Sequence, residues 1–174
     1  VIVADDSREG SAKSAVGSVT DPRVRYVHRA HPTGGQPAIV RNDLSELSSG
    51  RYLHFLDDDD AVSLATLGIM VGQLDATGHG VAIGVVQPVG PAGSVVVARE
   101  RLHYDRARQQ FPHIASRFEL VARLLFRSSI VCCSACVVRR EAFAAIGGFD
   151  SAMPLYEDVE FYIRAIRRFG FTFV

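Results

Sequence analysis

Four consecutive aspartates, Asp57 to Asp60, directly follow an apolar segment in the sequence RYLHFLDDDD. Two like charges about 4 Å apart repel by roughly 4 kcal/mol at an effective dielectric near 20, so the run opposes folding unless something offsets its charge. A divalent cation, a basic partner or exposure to water would each do so. Carboxylates at the end of a strand suit Mg²⁺ or Mn²⁺, whereas Asp60 alone could cap a helix predicted to begin near Ser63. The run predicts a ligand-binding role.

Two pairs of neighbouring acidic residues are further candidates for a functional site. Asp5 and Asp6 follow the apolar run VIVA, and Glu157 and Asp158 stand at the start of a predicted helix. The helix dipole favours carboxylates in the first turn by roughly 0.3–1 kcal/mol, and a carboxylate held there could equally act as a general base. An acidic pair after the first strand is also typical of receiver domains, but these need a lysine on a later strand, and Lys13 is the only lysine.

The cysteines and histidines predict no site. Cys132, Cys133 and Cys136 lie in one apolar stretch, and an odd number without a second cluster argues against a disulfide framework or a zinc site. We expect buried small side chains on a strand rather than redox or metal chemistry. The six histidines are scattered without metal-ligand spacing.

Composition indicates a soluble globular domain. The chain has 174 residues, of which 48% are hydrophobic and 22% charged. Nineteen basic residues balance nineteen acidic ones, so no overall field favours nucleic acid. We find neither a signal peptide nor an uninterrupted apolar run long enough to span a membrane. Because Val1 already lies in a predicted strand, we expect the chain to be a fragment whose first element is missing.

The elements that must position these residues alternate between strands and helices. Apolar runs predict strands at 1–4, 23–28, 52–56, 80–88, 95–98 and 130–138. Helical patterns predict helices at 11–19, 36–47, 63–76 and 114–126, a short helix that Gly147 ends, and a final helix. On the final helix the predicted apolar face is Val159, Tyr162, Ile163, Ile166 and Phe169. This order favours an α/β fold with a mostly parallel central sheet flanked by helices. Both aspartate clusters follow strands, so we expect them to face one crevice.

Six segments together resemble glycosyltransferase family 2, whose members are inverting enzymes with nucleotide-sugar donors. The segments are VIVADDS, DPRVRYVH, GGQPAIVRN, SGRYLHFLDDDD, RREAFAAIGGFD and YEDVEFYIRAIRRFG, in the family's order across nearly the whole chain. The resemblance implies the Rossmann-like glycosyltransferase A-type fold, known from nucleotide-diphospho-sugar transferases, and one catalytic domain over residues 1–174. In that family a strand and a helix precede the segment that matches Val1, so the resemblance also implies that they are missing here.

The resemblance also implies roles for the aspartates near the donor. Asp6 would contact the nucleotide base, with Asp5 beside it. The run FLDDDD is similar to the family's Asp-x-Asp element, in which Asp57 and Asp58 would lie against the ribose and diphosphate. Asp59 would ligate Mn²⁺ or Mg²⁺. A cation bound together with the diphosphate would then offset the charge of the aspartate run.

Two further residues receive roles from the same resemblance. Arg41 matches an arginine near the donor site, although a structural salt bridge is the alternative. Asp158 matches the catalytic base, which would take the proton of an acceptor hydroxyl while the metal stabilises the departing diphosphate.

The implied partners are a UDP- or dTDP-linked donor and a sugar, polysaccharide or lipid-linked acceptor, as in cell-wall or polysaccharide biosynthesis. The expected location is the cytoplasm, with peripheral membrane association left open. Two alternatives are a nucleotidyltransferase of related fold and a non-catalytic nucleotide-sugar-binding domain. The oligomeric state is not indicated.

Overall fold

The computed structural model describes residues 1–63, 65–126 and 131–174. Its strands are β1 (Ile2–Asp5), β2 (Arg25–His28), β3 (Tyr52–His54), β4 (Val81–Ile83), β5 (Cys136–Arg139) and β6 (Phe171–Phe173). Its helices are α1 (Lys13–Gly17), α2 (Pro37–Leu47), α3 (Thr66–Thr77), α4 (Val95–Gln110), α5 (Arg117–Phe126), α6 (Arg140–Ala145) and α7 (Glu157–Phe169). Two short 3-10 helices occupy Phe111–His113 and Cys133–Ala135. Leu64 and Ile130, which fall within a predicted helix and a predicted strand, lie outside the described residues.

The chain forms two compact units. The first contains Val1–Gly50 and Phe149–Glu157, and the second contains Arg51–Gly148 and Asp158–Val174. In the first unit β1 and β2 pair in parallel, from Ile2 opposite Arg25 to Asp5 opposite His28. Helix α2 begins at Pro37, as predicted, where the missing proline amide costs little. The prediction of a single catalytic domain over residues 1–174 stays a prediction.

Asn42 holds the segment Phe149–Glu157 in the first unit. Its side-chain amide donates to the carbonyl of Phe149 over 2.9 Å and its oxygen accepts the amide of Phe149 over 2.9 Å. The same two-way exchange joins opposite residues in a sheet, so Asn42 satisfies both backbone groups of this residue. One turn of α2 therefore fixes a segment more than a hundred residues further along the chain.

The second unit has a four-stranded sheet in the order β3-β5-β4-β6. Strand β4 is parallel to β6, but β5 is antiparallel to both β3 and β4. The α/β class is confirmed, whereas the expected mostly parallel sheet is corrected to a mixed one. The direction of β5 depends on the long connection after β4, and an alternating strand and helix pattern carries no information about that path.

A buried core packs beneath this sheet. Its hydrophobic cluster consists of Met70, Leu74, Ala82 and Val137. A row of aromatic rings continues the core, with centroids 5.6 Å apart for Phe55 and Phe143 and 5.3 Å apart for Phe143 and Phe161. The core therefore connects α3, α6 and α7 to the sheet.

The buried face of α7 differs from the predicted one. Its fully buried residues are Phe161, Tyr162, Ala165 and Ile166. Of the predicted face, Tyr162 and Ile166 are buried, whereas Val159, Ile163 and Phe169 are only partly buried. The helix is rotated toward the aromatic row, because packing against Phe143 favours the large ring of Phe161 on the inside.

The predicted edge strand at 95–98 is wrong, because these residues form the first turn of α4. The Ser94 hydroxyl accepts a hydrogen bond from the amide of Val97 and caps the helix, which outweighs the strand preference of three valines.

The predicted end of α6 is confirmed. Gly147 has a φ of 80° there, and its amide donates to the carbonyl of Ala144 over 3.1 Å.

A substitution of Gly80 tests how closely this residue packs against α6 and α7. A side-chain carbon at this buried position would overlap the Cβ of Phe169 and lie 3.2 Å from the Cβ of Ala142. We expect Gly80→Ala to destabilise the fold by about 1–3 kcal/mol, measured by urea unfolding. The control is Gly72→Ala, because this exposed helical position has nothing within 4 Å, and alanine there should stabilise by roughly 0.5–1 kcal/mol. Equal effects of the two changes would contradict the close approach.

Candidate functional site

Asp5 ends β1 and organises the loop that follows. Its Oδ1 accepts the Ser7 amide over 3.0 Å and the Ser7 hydroxyl over 2.6 Å. Its Oδ2 accepts the Ala12 amide and the Tyr26 hydroxyl, each over 2.8 Å. These bonds, that from the Ser7 hydroxyl first, hold the pKa of the Asp5 carboxyl far below its ordinary value. Buried Asp5 therefore stays charged and ties α1 to the β1-β2 pair.

Asp6 is held by a different loop of the same unit. The amide and hydroxyl of Thr33 donate to its two oxygens over 2.9 and 2.5 Å, and Arg29 Nε lies 3.2 Å from Oδ1. Burial acts to raise the pKa of Asp6, but the bonds from Thr33 and the Arg29 charge outweigh it and lower the pKa. The carboxylate is thus oriented and remains partly exposed. Thr33, in the predicted loop HPTGG, carried no sequence signal for this contact.

Arg41 and Glu157 form an ion pair in the first unit. Arg41 Nη1 lies 2.6 Å from Glu157 Oε1, and both side chains are largely buried. The guanidinium carbon of Arg41 also lies 5.6 Å from the centre of the Phe149 ring. This is the structural salt bridge that the sequence left as an alternative, and it gives the first carboxylate of the Glu157-Asp158 pair a role in folding.

The aspartate run begins three residues after the end of β3, in the second unit. Ser134 fixes its first residue, because its hydroxyl accepts the Asp57 amide over 3.0 Å while its carbonyl lies 2.9 Å from His54 Nε2. The amide of Asp60 donates to the carbonyl of Asp57 over 3.2 Å and closes a turn. Helix α3 starts later, after Ala65, so Asp60 does not cap it.

The other carboxylates of the run face solvent. Asp58, Asp59 and Asp60 are exposed, and no ion pair that the structure describes involves them. Exposure to water is therefore what offsets their repulsion in the protein alone. In the described ranges there is no cluster of three or more histidine, cysteine, aspartate or glutamate side chains arranged to hold a metal ion.

Asp158 lies in the first turn of α7, in the second unit. The Val159 amide donates to its Oδ1 over 2.7 Å, which orients the partly buried carboxylate. The residue before the Glu157-Asp158 pair, Tyr156, has a φ of 61°, an unusual conformation for a bulky side chain. Such strain is found at sites where the surrounding structure holds a residue in place.

The Cys132 thiol indicates which carboxylates of the second unit lie near one another. Burial raises its pKa, and the charges of Asp60, Asp158 and Asp57 raise it further. The Tyr104 hydroxyl on α4 is influenced by some of the same groups. Burial raises its pKa most, and the charges of Cys132, Glu100, Asp60 and Asp158 raise it further. The aspartate run and Asp158 are thus brought within electrostatic reach of one partly buried thiol. Sequence reasoning missed Cys132 and Tyr104, since nothing in their spacing indicates this proximity.

None of the three cysteines forms a disulfide. Cys133 and Cys136 are buried, and burial raises the pKa of the Cys136 thiol well above its ordinary value. A buried protonated thiol is a poor nucleophile and a poor metal ligand. The prediction of buried structural cysteines is confirmed for these two, although only Cys136 lies on a strand.

A shallow depression lies on α4 beside this carboxylate group. Its volume is about 290 Å³, and it is lined by Arg99, Glu100, His103 and Tyr104.

Among the described helices, none combines the length and the apolar composition needed to cross a membrane.

The fold matches solved glycosyltransferase structures. Crystal structures of S. aureus TarS 1-349 without ligand, with UDP and with UDP-GlcNAc superpose on the whole chain with TM-scores of 0.68, 0.70 and 0.71, at 16% sequence identity. The chain covers 48%, 48% and 46% of those chains. The two units thus have the glycosyltransferase A-type fold, which confirms the predicted fold class.

Sequence comparison gives the family. The model described as "Glycosyl transferase family 2" matches residues 1–147, and the chain therefore belongs to glycosyltransferase family 2. The succinoglycan biosynthesis protein ExoO of Rhizobium meliloti (strain 1021) is 27% identical over 128 residues, which make up 74% of this chain. The chain spans 35% of the length of that relative.

Asp5 gives a test of the loop after β1. Asp5→Asn replaces an acceptor oxygen by an amide group that faces hydrogen-bond donors, so we expect a lower urea midpoint at neutral pH. The lowered pKa stabilises the fold above the unfolded-state pKa near 3.9, and this contribution is lost as pH falls toward the folded-state pKa. The gap between wild type and variant should therefore shrink below about pH 4. Exposed Asp58→Asn is the control, and a gap independent of pH would contradict the assignment.

Proposed function

We propose that the chain carries the catalytic core of a metal-dependent, inverting glycosyltransferase acting in polysaccharide biosynthesis. It transfers a sugar from a nucleotide-sugar donor to an acceptor hydroxyl. Family membership supports the reaction class, and the UDP and UDP-GlcNAc complexes of TarS favour a UDP-linked donor over a dTDP-linked one. The name of ExoO supports a polysaccharide product, with a sugar, polysaccharide or lipid-linked acceptor.

The observation that carries this proposal is that carboxylates from distant parts of the sequence act electrostatically on the Cys132 thiol. The aspartate run and Asp158 come from distant parts of the sequence, yet the charges of Asp57, Asp60 and Asp158 all act on one thiol. A transferase needs its leaving-group site and its base on either side of one reacting carbon, so these carboxylates must lie close together.

The aspartate run fits a divalent cation bound together with substrate. Mg²⁺ and Mn²⁺ take oxygen ligands and commonly use only one or two carboxylates besides substrate phosphates. Exposed Asp59 can supply one such ligand, in agreement with the lack of a larger cluster among the described side chains. An ion held there would supply Lewis-acid stabilisation of the leaving diphosphate. Asp57 and Asp58 are the residues that we propose for contact with the ribose and diphosphate.

Asp6 is the residue that we propose for contact with the nucleotide base. Asp6 is held by Thr33 and Arg29 with its carboxylate partly exposed, an arrangement suited to accept hydrogen bonds from a nucleobase. Asp5 beside it shapes the loop rather than facing the ligand, because its oxygens already accept four hydrogen bonds. Arg41 acts on the donor site through its ion pair with Glu157.

Asp158 serves as general base in this proposal. The Val159 amide holds Oδ1, so the carboxylate keeps one orientation while it takes the proton of the acceptor hydroxyl. The deprotonated oxygen then attacks the anomeric carbon on the face opposite the nucleotide, which inverts the configuration. The bond from that carbon to the diphosphate breaks as the new glycosidic bond forms.

Asp59 tests the metal site. We expect Mn²⁺ or Mg²⁺ to tighten UDP binding to the wild type, measured by calorimetry, and we expect Asp59→Asn to abolish this metal dependence while the fold is retained. Asp75→Asn is the control, because its exposed carboxylate on α3 contacts Tyr52 and Arg139 instead. Undiminished metal dependence in Asp59→Asn would remove Asp59 from the site.

A substitution of Asp158 tests its assignment as the general base. We expect Asp158→Asn to retain UDP binding and lose about 10²–10⁴ in transfer rate, because asparagine cannot accept the hydroxyl proton. Glu157→Gln serves as the matched control. It breaks the buried pair with Arg41 and should lower stability by up to about 3–5 kcal/mol, with a smaller loss of rate in the folded fraction. Wild-type turnover by Asp158→Asn would show that another residue is the base.

A further inference from the structure

The depression on α4, which we call the α4 depression, is lined by one face of that helix. Its lining side chains are Arg99, Glu100, His103 and Tyr104. Side chains four residues apart are neighbours on a helix, so Arg99 lies next to His103, and Glu100 next to Tyr104. The rings of His103 and Tyr104 meet edge to face, with centroids 5.2 Å apart and 78° between their planes. The two rings thus support each other and form an aromatic wall.

Tyr104 places the α4 depression beside the carboxylates of the second unit. Its side chain is partly buried. Burial raises the pKa of its hydroxyl most, and the carboxylates of Asp60 and Asp158 are among the charges that raise it further. All of these residues belong to the second unit. A molecule in the depression therefore lies within electrostatic reach of the aspartate run and of Asp158.

The charges around the α4 depression disfavour an anionic occupant. Arg99 supplies a positive charge, whereas the carboxylates within reach are Glu100, Asp60 and Asp158. Like charges brought together at a binding site lower affinity. A neutral molecule with several hydroxyl groups avoids this repulsion, because its hydroxyls can donate to Glu100 and accept from Arg99.

We propose that the α4 depression binds a neutral sugar unit of the acceptor, with Tyr104 and Arg99 as specificity-determining residues. The sugar packs one face of its ring on Tyr104, and its hydroxyls exchange hydrogen bonds with Arg99 and Glu100. The reacting hydroxyl is the one that faces Asp158. The volume of about 290 Å³ is near the lower end of small-molecule sites, about 300 Å³, which suits a single sugar unit. This inference rests on the proposed transfer reaction, in which Asp158 is the base.

The donor's own sugar is the alternative occupant of the α4 depression. That sugar is bonded directly to a diphosphate, which is negatively charged. Among the ion pairs that the structure describes, none involves Glu100, so its charge would repel the diphosphate. An acceptor sugar carries no such group, and the depression therefore favours the acceptor.

Saturation-transfer NMR on the whole chain, with UDP and Mn²⁺ present, tests this inference. The neutral probes are the methyl β-glycosides of glucose, galactose and N-acetylglucosamine, and methyl β-glucuronide is the anionic probe. We expect the wild type to bind at least one neutral probe, and to bind the glucuronide at least about tenfold more weakly. Tyr104→Ala should weaken the neutral probe about tenfold because the ring is lost, whereas Tyr104→Phe should keep most of the affinity. Arg99→Gln should weaken it about fivefold through lost hydrogen bonds.

Matched controls lie outside the α4 depression. Arg108→Gln removes another exposed arginine of α4, and Phe118→Ala removes an exposed ring of α5. Neither change should alter sugar binding, and every variant should keep the wild-type affinity for UDP.

The outcomes separate this inference from the proposed function. It is overturned, with the proposed donor site intact, if the wild type binds UDP but none of the neutral probes. It is also overturned if Tyr104→Ala binds the sugar like the wild type, or if the glucuronide binds as well as the neutral probes. Loss of UDP affinity in folded Tyr104→Ala would assign the depression to the donor instead. A wild type that binds neither UDP nor a sugar would overturn both this inference and the proposed function.

Discussion

Uncompensated negative charge at the ends of strands and at the start of α7 is the constraint on which the rest of this structure depends. The fold resolves it in three ways. Asp5 receives hydrogen bonds from a loop and a helix start, Glu157 receives the guanidinium of Arg41, and the exposed end of the aspartate run is left to water. Carboxylates that the protein neutralises itself are bound into its architecture, and carboxylates left to solvent can accept charge from a ligand.

In each pair of neighbouring acidic residues, the protein neutralises the first carboxylate and leaves the second partly exposed. In Asp5-Asp6 the first side chain is buried and bonded on both oxygens, while the second is oriented but partly exposed. In Glu157-Asp158 the first side chain is in a buried ion pair, and the second lies at the start of α7 within reach of the Cys132 thiol. The first acid of each pair thus has a structural role, while the second is oriented by other groups, Asp6 by Thr33 and Arg29 and Asp158 by the Val159 amide.

The second unit also has exposed apolar side chains that its core does not bury. Its core is complete around the aromatic row and the cluster at Met70, yet α5 carries further apolar side chains outward. Side chains that no core requires cost solubility, so a partner gives the simplest physical account of them.

The sequence by itself determined the alternating strands and helices up to β4 and the burial of Cys133 and Cys136, because these depend on local pattern and hydrophobicity. VIVA and RVRYVH formed a parallel pair, and Pro37 and Gly147 marked helix ends, because backbone geometry at these residues is a local property. Three valines did not make a strand at 95–98, since Ser94 caps a helix there. Only the tertiary structure decided the direction of β5, the burial of Phe161 and the electrostatic effect of Asp57, Asp60 and Asp158 on the Cys132 thiol. Those outcomes depend on contacts between residues far apart in the sequence, and the free energy of such contacts is absent from any local pattern.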